Sequence, residues 1–147
     1  TGGQSALVLR ALGIGSWGPN TPQYVLGGIG GVRGYPTYQR ISRSIAMATA
    51  EWRVPVFANL DYYMWYIFPD FYFKSVSLTV FTDAGYAWNY QEELDKARWR
   101  GLEHSYGIGL RAHTFILQLF PLVVHFDVAQ RTTTNDRIFY VYLGPLF

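Results

Sequence analysis

The sequence predicts an all-β protein, an antiparallel up-and-down β-barrel that crosses a membrane with its strands. Three observations lead there. Apolar residues recur with period two along several segments, the mark of a strand with one apolar face. Those segments are longer than the typical soluble strand of about five or six residues. The composition pairs 18% aromatic with only 15% charged residues, where an ordinary soluble domain carries about 25% charged. Tyrosine and tryptophan concentrate where one end of a ring is apolar and the other wet, as at a membrane interface.

Composition also excludes classes. The chain has 147 residues, the size of one domain, and a net charge of +2, too small to indicate a nucleic-acid partner. It has no cysteine, so disulfides and thiolate metal sites are ruled out. The uncharged stretch 11–32 holds seven glycines and two prolines, and 112–126 is shorter than the ~20 residues of a spanning helix. Any crossing is therefore made by strands. The chain starts at Thr1 without a signal peptide, so it reads as a mature product or as a piece of something longer.

Taken in order, residues 7–15 form a first strand whose faces are ambiguous. In 44–57, Ala46, Ala48, Ala50, Trp52, Val54 and Val56 share a face opposite Thr49, Glu51 and Arg53. In 74–89, Val76, Leu78, Val80, Ala84, Tyr86 and Trp88 oppose Ser75, Ser77, Thr79, Phe81, Asp83 and Gly85. In 104–118, Tyr106, Ile108, Leu110 and Ile116 oppose Ser105, Gly107, Gly109, Arg111 and His113. In 121–131, Leu122, Val124, Phe126 and Val128 oppose His125, Asp127 and Arg131. The last segment, 137–147, places Phe139, Val141, Leu143 and Phe147 on one side.

The ionisable residues of these strands lie opposite the apolar face. A soluble sandwich would turn the apolar face inward, whereas a membrane barrel turns it to lipid and lines its lumen with the polar one. Strand length and aromatic load favour the barrel. Open sheet edges are not tolerated in lipid and spanning barrels begin at about eight strands. Six strands cannot close alone, so the chain reads as the C-terminal part of a larger barrel.

The connections fit this plan. Residues 91–103 carry seven charged side chains and form a solvated loop, Phe120-Pro121 makes a tight turn, and 132–136 is a polar loop. The segment 58–73 is rich in aromatics, with Tyr62, Tyr63, Trp65, Tyr66, Phe68, Phe71 and Tyr72. It reads either as an interfacial segment with a short helix at the headgroups or as a cluster packed under its own barrel. The glycine-dense stretch 26–36, in which Arg33 is the one charged residue, reads as a loop that delivers a long cation to a definite place.

Rival chemistries are weak. Gly13-Ile14-Gly15-Ser16-Trp17-Gly18 matches G-x-G-x-x-G literally, but Pro19 and Pro22 forbid a helix there and no acid follows at the required spacing. His125 and Asp127 share a face, yet no third ligand or nucleophile is assigned by spacing. No metal, cofactor or catalytic group is expected.

At this point the residues resemble a family. Val32-Arg33-Gly34-Tyr35 is similar to the VRGY/VRGF motif of the BamA/TamA/FhaC-type outer-membrane assembly and secretion superfamily, the bacterial surface antigen barrels. Glu51-Trp52-Arg53-Val54-Pro55, Phe81-Thr82-Asp83-Ala84-Gly85 and Gly107-Ile108-Gly109-Leu110-Arg111 resemble the strands that follow it. The ending, with Gly144 and Phe147, resembles the C-terminal β-signal of the closing strand 137–147. Pro145 departs from the pattern, since proline removes a ladder hydrogen bond.

The resemblance implies the last six strands of a sixteen-stranded barrel. Residues 31–36 would belong to a loop folded into the lumen, and Arg33, Gly34 and Tyr35 would be latched there by Glu51, Asp83 and Gly85. Glu51 could instead pair only with its neighbour Arg53. The resemblance further implies an integral outer-membrane location and a non-enzymatic insertase or translocase. Its partners would be membrane lipid and an unfolded or secreted polypeptide, with POTRA modules upstream. By the same order, 91–103 and 132–136 would be extracellular and 58–73 periplasmic. The alternative is a barrel that anchors or exports an upstream passenger, such as a lipase-type hydrolase.

Overall fold

The computed structural model describes residues 4–37, 41–66, 70–89, 101–117 and 119–144. Its strands are β1 (Ala6–Gly15), β2 (Tyr24–Val25), β3 (Ile41–Ser42), β4 (Ser44–Phe57), β5 (Tyr62–Met64), β6 (Phe71–Trp88), β7 (Glu103–Ile116), β8 (Phe120–Arg131) and β9 (Arg137–Gly144). The long strands form one antiparallel sheet in the order β1-β4-β6-β7-β8-β9, with β5 added beside β6. Each of these strands pairs with the next long strand in sequence, the up-and-down order that the alternation predicted. No helix among the described residues is long and apolar enough to cross a membrane, which says nothing of strands.

Burial is inverted relative to a soluble protein. Along the centre of β6, Thr79, Phe81, Asp83, Gly85 and Ala87 are buried while Leu78 and Val80 are exposed. On β7, β8 and β9 the exposed positions are Tyr106, Ile108, Leu110, Phe126, Phe139, Val141 and Leu143. Buried in their place are Ser105, Arg111, Thr114 and Asp127. A sandwich would lose free energy on both counts, leaving apolar surface in water and desolvating charge. A sheet with lipid outside and a polar lumen inside satisfies both.

The register places the inner residues in rows. Glu51 stands opposite Phe81 and Phe81 opposite Gly107, which faces Ala129. Gly109 stands opposite Asp127, and Asp127 opposite Tyr140. Tyr86 and Trp88 stack at 6.0 Å near one end of β6, and Phe71 and Phe73 stack at 6.4 Å at the other. Tyr86 lies thirteen residues beyond Phe73. At ~3.3 Å per residue and a tilt of about 45° that is roughly 30 Å along the normal, the thickness of a hydrocarbon core.

Several local expectations are corrected. The described part of 58–73 is not helical: Tyr62, Tyr63 and Met64 pair with Phe73, Tyr72 and Phe71. Hydrogen bonds from Tyr63 to Asp70 (2.6 Å) and from Tyr72 to Asp61 (2.5 Å) tie the hairpin together and occupy both of its acids. β6 therefore begins at Phe71, with irregular registers between Phe73 and Ser75 and between Pro55 and Phe57. The second follows from Pro55, which has no N–H for the ladder. Phe120 and Pro121 are not the turn but the first residues of β8; the turn lies before them, where Leu117 has φ 51°. Glu103 is not in a solvated loop; it starts β7 and is buried. The short β2–β3 ladder was not anticipated. Residues 91–100, Pro145 and Phe147 lie outside the described residues, and Gly144 ends β9 opposite Val123.

Candidate functional site

The segment 26–35 lies on the inner face of the sheet. It first closes on itself: Val32 N–H donates to Leu26 C=O (2.8 Å), Gly31 N–H to Gly28 C=O (3.2 Å) and Gly28 N–H to Tyr35 C=O (3.1 Å). These bonds satisfy the backbone of a segment that cannot join the ladder. Leu26, Val32 and Tyr35 are then buried with Ile45 of β4 and Ala87 of β6, with Ile14 and Met47 packed around them. The result is an apolar plug in an otherwise polar interior.

Gly85 makes room for that plug. A Cβ at this position would stand 2.5 Å from Val32 Cγ2 and 2.8 Å from Leu26 Cδ1. Gly34 has φ +90°, a conformation that L side chains rarely adopt, and its Cα faces Ser105 of β7 and Ala129 of β8. The turn at Gly34 points Arg33 and Tyr35 to different walls.

Arg33 is buried, at 5% exposure. Its Nε donates to Asp83 Oδ2 (2.7 Å) and Nη2 to Asp83 Oδ1 (3.0 Å), a bidentate fork, while its backbone N–H donates to the same carboxylate (3.2 Å). Nη1 donates to Asp127 Oδ2 (3.2 Å) and to Glu51 Oε2 (3.4 Å). The guanidinium carbon lies 3.4 Å from the centroid of the Phe81 ring. One side chain thus joins β4, β6 and β8 through charge and sits on an aromatic face. Burial alone would lower its pKa, but the Asp83 bond and the charges of Asp83, Asp127 and Glu51 outweigh this and raise it.

The carboxylates are shared. Arg111 forks onto Asp127 and approaches Glu51 at 3.6 Å, and Arg53 Nε donates to Glu51 (2.8 Å). Three arginines face three carboxylates, so the cluster is formally neutral. That balance is what allows Asp83, Asp127 and Arg111 to be almost fully buried. Glu51 therefore pairs with Arg53 and with Arg33 at once. The other walls are engaged too: Tyr35 Oη contacts the His104 backbone of β7, and Arg131 of β8 donates to Gly34 C=O (2.5 Å). Tyr140 Oη of β9 accepts the Gly34 N–H (2.8 Å).

The structure brings Arg33, Gly34, Tyr35, Glu51, Asp83 and Gly85 into one cluster. Gly144 borders it: it lines a cavity of about 370 Å³ together with Arg33, Glu51, Arg53 and Arg111 of the cluster and with His125 and Tyr142. Sequence reasoning missed Asp127 as an Arg33 acceptor, Arg111 as its counter-charge, Phe81 as the ring beneath the guanidinium, and Tyr140. Asp127 and Arg111 were legible as polar-face residues; only the register shows that they converge. Among the described residues no three His, Asp or Glu side chains gather as a metal site.

These features define a class: an all-β antiparallel sheet, part of a β-barrel, with a polar inner face on which a loop is held by the ion pairs of one arginine. Sequence comparison with protein families matches residues 5–145 to the Omp85 superfamily domain. The chain belongs to the Omp85 superfamily, a family of outer-membrane β-barrels that insert or translocate proteins. No curated protein and no solved structure matches the chain.

Proposed function

We propose that this chain is the C-terminal part of an outer-membrane protein insertase or polypeptide translocase. The reading rests on one observation, the fork of Arg33 on Asp83 inside a neutral cluster that also holds Glu51 and Asp127. A loop held this way fills the interior in one defined state. In this reading residues 31–36 are a lumen-folded latch and 137–147 are the closing strand. Ten further strands complete the sixteen-stranded barrel, and polypeptide substrate passes through the lumen or the seam. The protein works without covalent chemistry; its partners are membrane lipid, the polypeptide, and POTRA modules in the same chain.

The test is a double-mutant cycle on Arg33→Ala and Asp83→Ala, read as substrate insertion or export in cells. The reading expects each change to impair transport and the pair to be little worse than either alone. Full additivity would remove the latch from the mechanism. The residues encoded before Thr1 separate the alternative: tandem small α/β modules support assembly or secretion, and a G-x-S-x-G hydrolase domain supports passenger delivery.

A further inference from the structure

The inward face of β9 carries two tyrosines that the latch does not need for charge balance. Tyr140 Oη accepts the Gly34 N–H at 2.8 Å, and Tyr142 Oη donates to Asp127 Oδ2 at 3.4 Å, the oxygen that also accepts from Arg33. Tyr142 further stacks on His125 at 4.4 Å with 15° between the planes. The other side of the strand gives no purchase, since Phe139, Val141 and Leu143 are 63–73% exposed. On its inner side β9 thus takes contacts from the loop and from the carboxylate that the loop engages.

We infer that Tyr140 and Tyr142 are positioning residues that couple docking of the 26–35 loop to attachment of β9, so that release of one loosens the other. This rests on the reading of the loop as a latch and adds its regulation. Withdrawal of Arg33 and Gly34 removes the partner of Tyr140 directly and takes one donor from the Asp127 oxygen that Tyr142 shares, leaving Asp127 held by Arg111. A substrate that displaces the loop would thereby loosen β9. Because coupling between two equilibria is reciprocal, weakening β9 must loosen the loop by the same factor.

The test is peptide-resolved hydrogen exchange on the full-length protein in lipid nanodiscs, comparing wild type with Tyr140→Phe and Arg33→Ala. Tyr140→Phe keeps the ring and deletes one hydrogen bond, which corresponds to roughly a 2- to 10-fold change in a local opening equilibrium. The expected result is a rise of that order over 137–144 and, by reciprocity, over 26–35, with 76–83 of β6 unchanged. Arg33→Ala should raise exchange over the same two segments, and the double variant should add little. A uniform rise over all segments would mean only general destabilisation and would overturn the coupling. So would a rise over 26–35 in Arg33→Ala with 137–144 unmoved, which leaves the latch intact as a reading. If Arg33→Ala fails to raise exchange over 26–35 at all, the latch itself is refuted.

Discussion

Arg33 lies over the ring of Phe81, the guanidinium carbon 3.4 Å from the ring centroid. Asp83, two residues along the same strand, takes the guanidinium edge. Two residues further, Gly85 leaves the space that Val32 fills. The inner face of β6 thus offers a platform, an anchor and a gap at one-pleat intervals, in the order that Arg33 and Val32 require. A strand presents one face at i, i+2 and i+4, so the spacing F-x-D-x-G is the imprint of the loop on the wall.

Phe81 gives the first prediction. Phe81→Leu retains an apolar side chain but has no ring face, and a desolvated cation–π contact is worth about 2 kcal/mol. Phe81→Ala adds the cavity left by a buried ring, for a total of about 3–5 kcal/mol. The folded fraction, followed by heat-modifiable migration on gels, should fall in the order wild type, Leu, Ala. Equal stability of all three would show that Phe81 does not support the guanidinium.

Charge alone does not explain Arg33, and Arg33→Lys tests this. Lysine keeps the positive charge but is a point donor without a fork. It can approach Asp83 but cannot also reach Glu51 and Asp127 in the plane that the guanidinium spans. The expected loss is about 2–3 kcal/mol, on the scale of one charge-assisted hydrogen bond, and smaller than that of Arg33→Ala. Lysine equal to wild type would reduce the latch to simple neutralisation.

Gly85→Ala is a steric prediction. The added methyl would sit 2.5 Å from Val32 Cγ2 and 2.8 Å from Leu26 Cδ1. Overpacking of this kind costs about 1–3 kcal/mol. Val32→Ala alone should also destabilise, by leaving a gap. Combined with Gly85→Ala it should recover part of the loss, because the two changes share one space. Losses that simply add would place the clash elsewhere.

The sheet was legible because period two, strand length and chain order all bear on one decision. Alternation from Val76 to Trp88 identifies which face is apolar, and strand length with the aromatic load is what favours lipid over a second sheet against that face. The hairpin at Tyr62–Met64 was not legible: an aromatic run such as Tyr62, Tyr63 and Trp65 lacks clean alternation, and its strand character comes from pairing with Phe71–Phe73. Arg33 was found through motif resemblance and the glycine-dense loop around it, Glu51 and Asp83 through the resemblance together with the polar faces of their strands. Asp127 escaped because its tie to Arg33 spans 94 positions and depends on how far the sheet curls, which no local pattern encodes.

Asp127 is therefore the sharpest place to challenge the cluster. It accepts from Arg33, Arg111 and Tyr142 and is almost fully buried. Asp127→Asn is nearly isosteric but leaves three arginines facing two carboxylates. Its amide also turns two N–H donors toward neighbours that are themselves donors. Breaking a buried pair from one side costs about 3–5 kcal/mol. The double variant with Arg111→Met removes one charge of each sign and replaces the arginine stem with an apolar chain. It should be more stable than Asp127→Asn alone, whereas the same companion change in an Asp83→Asn background should rescue less, because Arg111 forks onto Asp127 and not onto Asp83. Heat-modifiable migration reads both pairs, and equal rescue in the two backgrounds would show that the cluster responds to net charge and not to the pairing geometry.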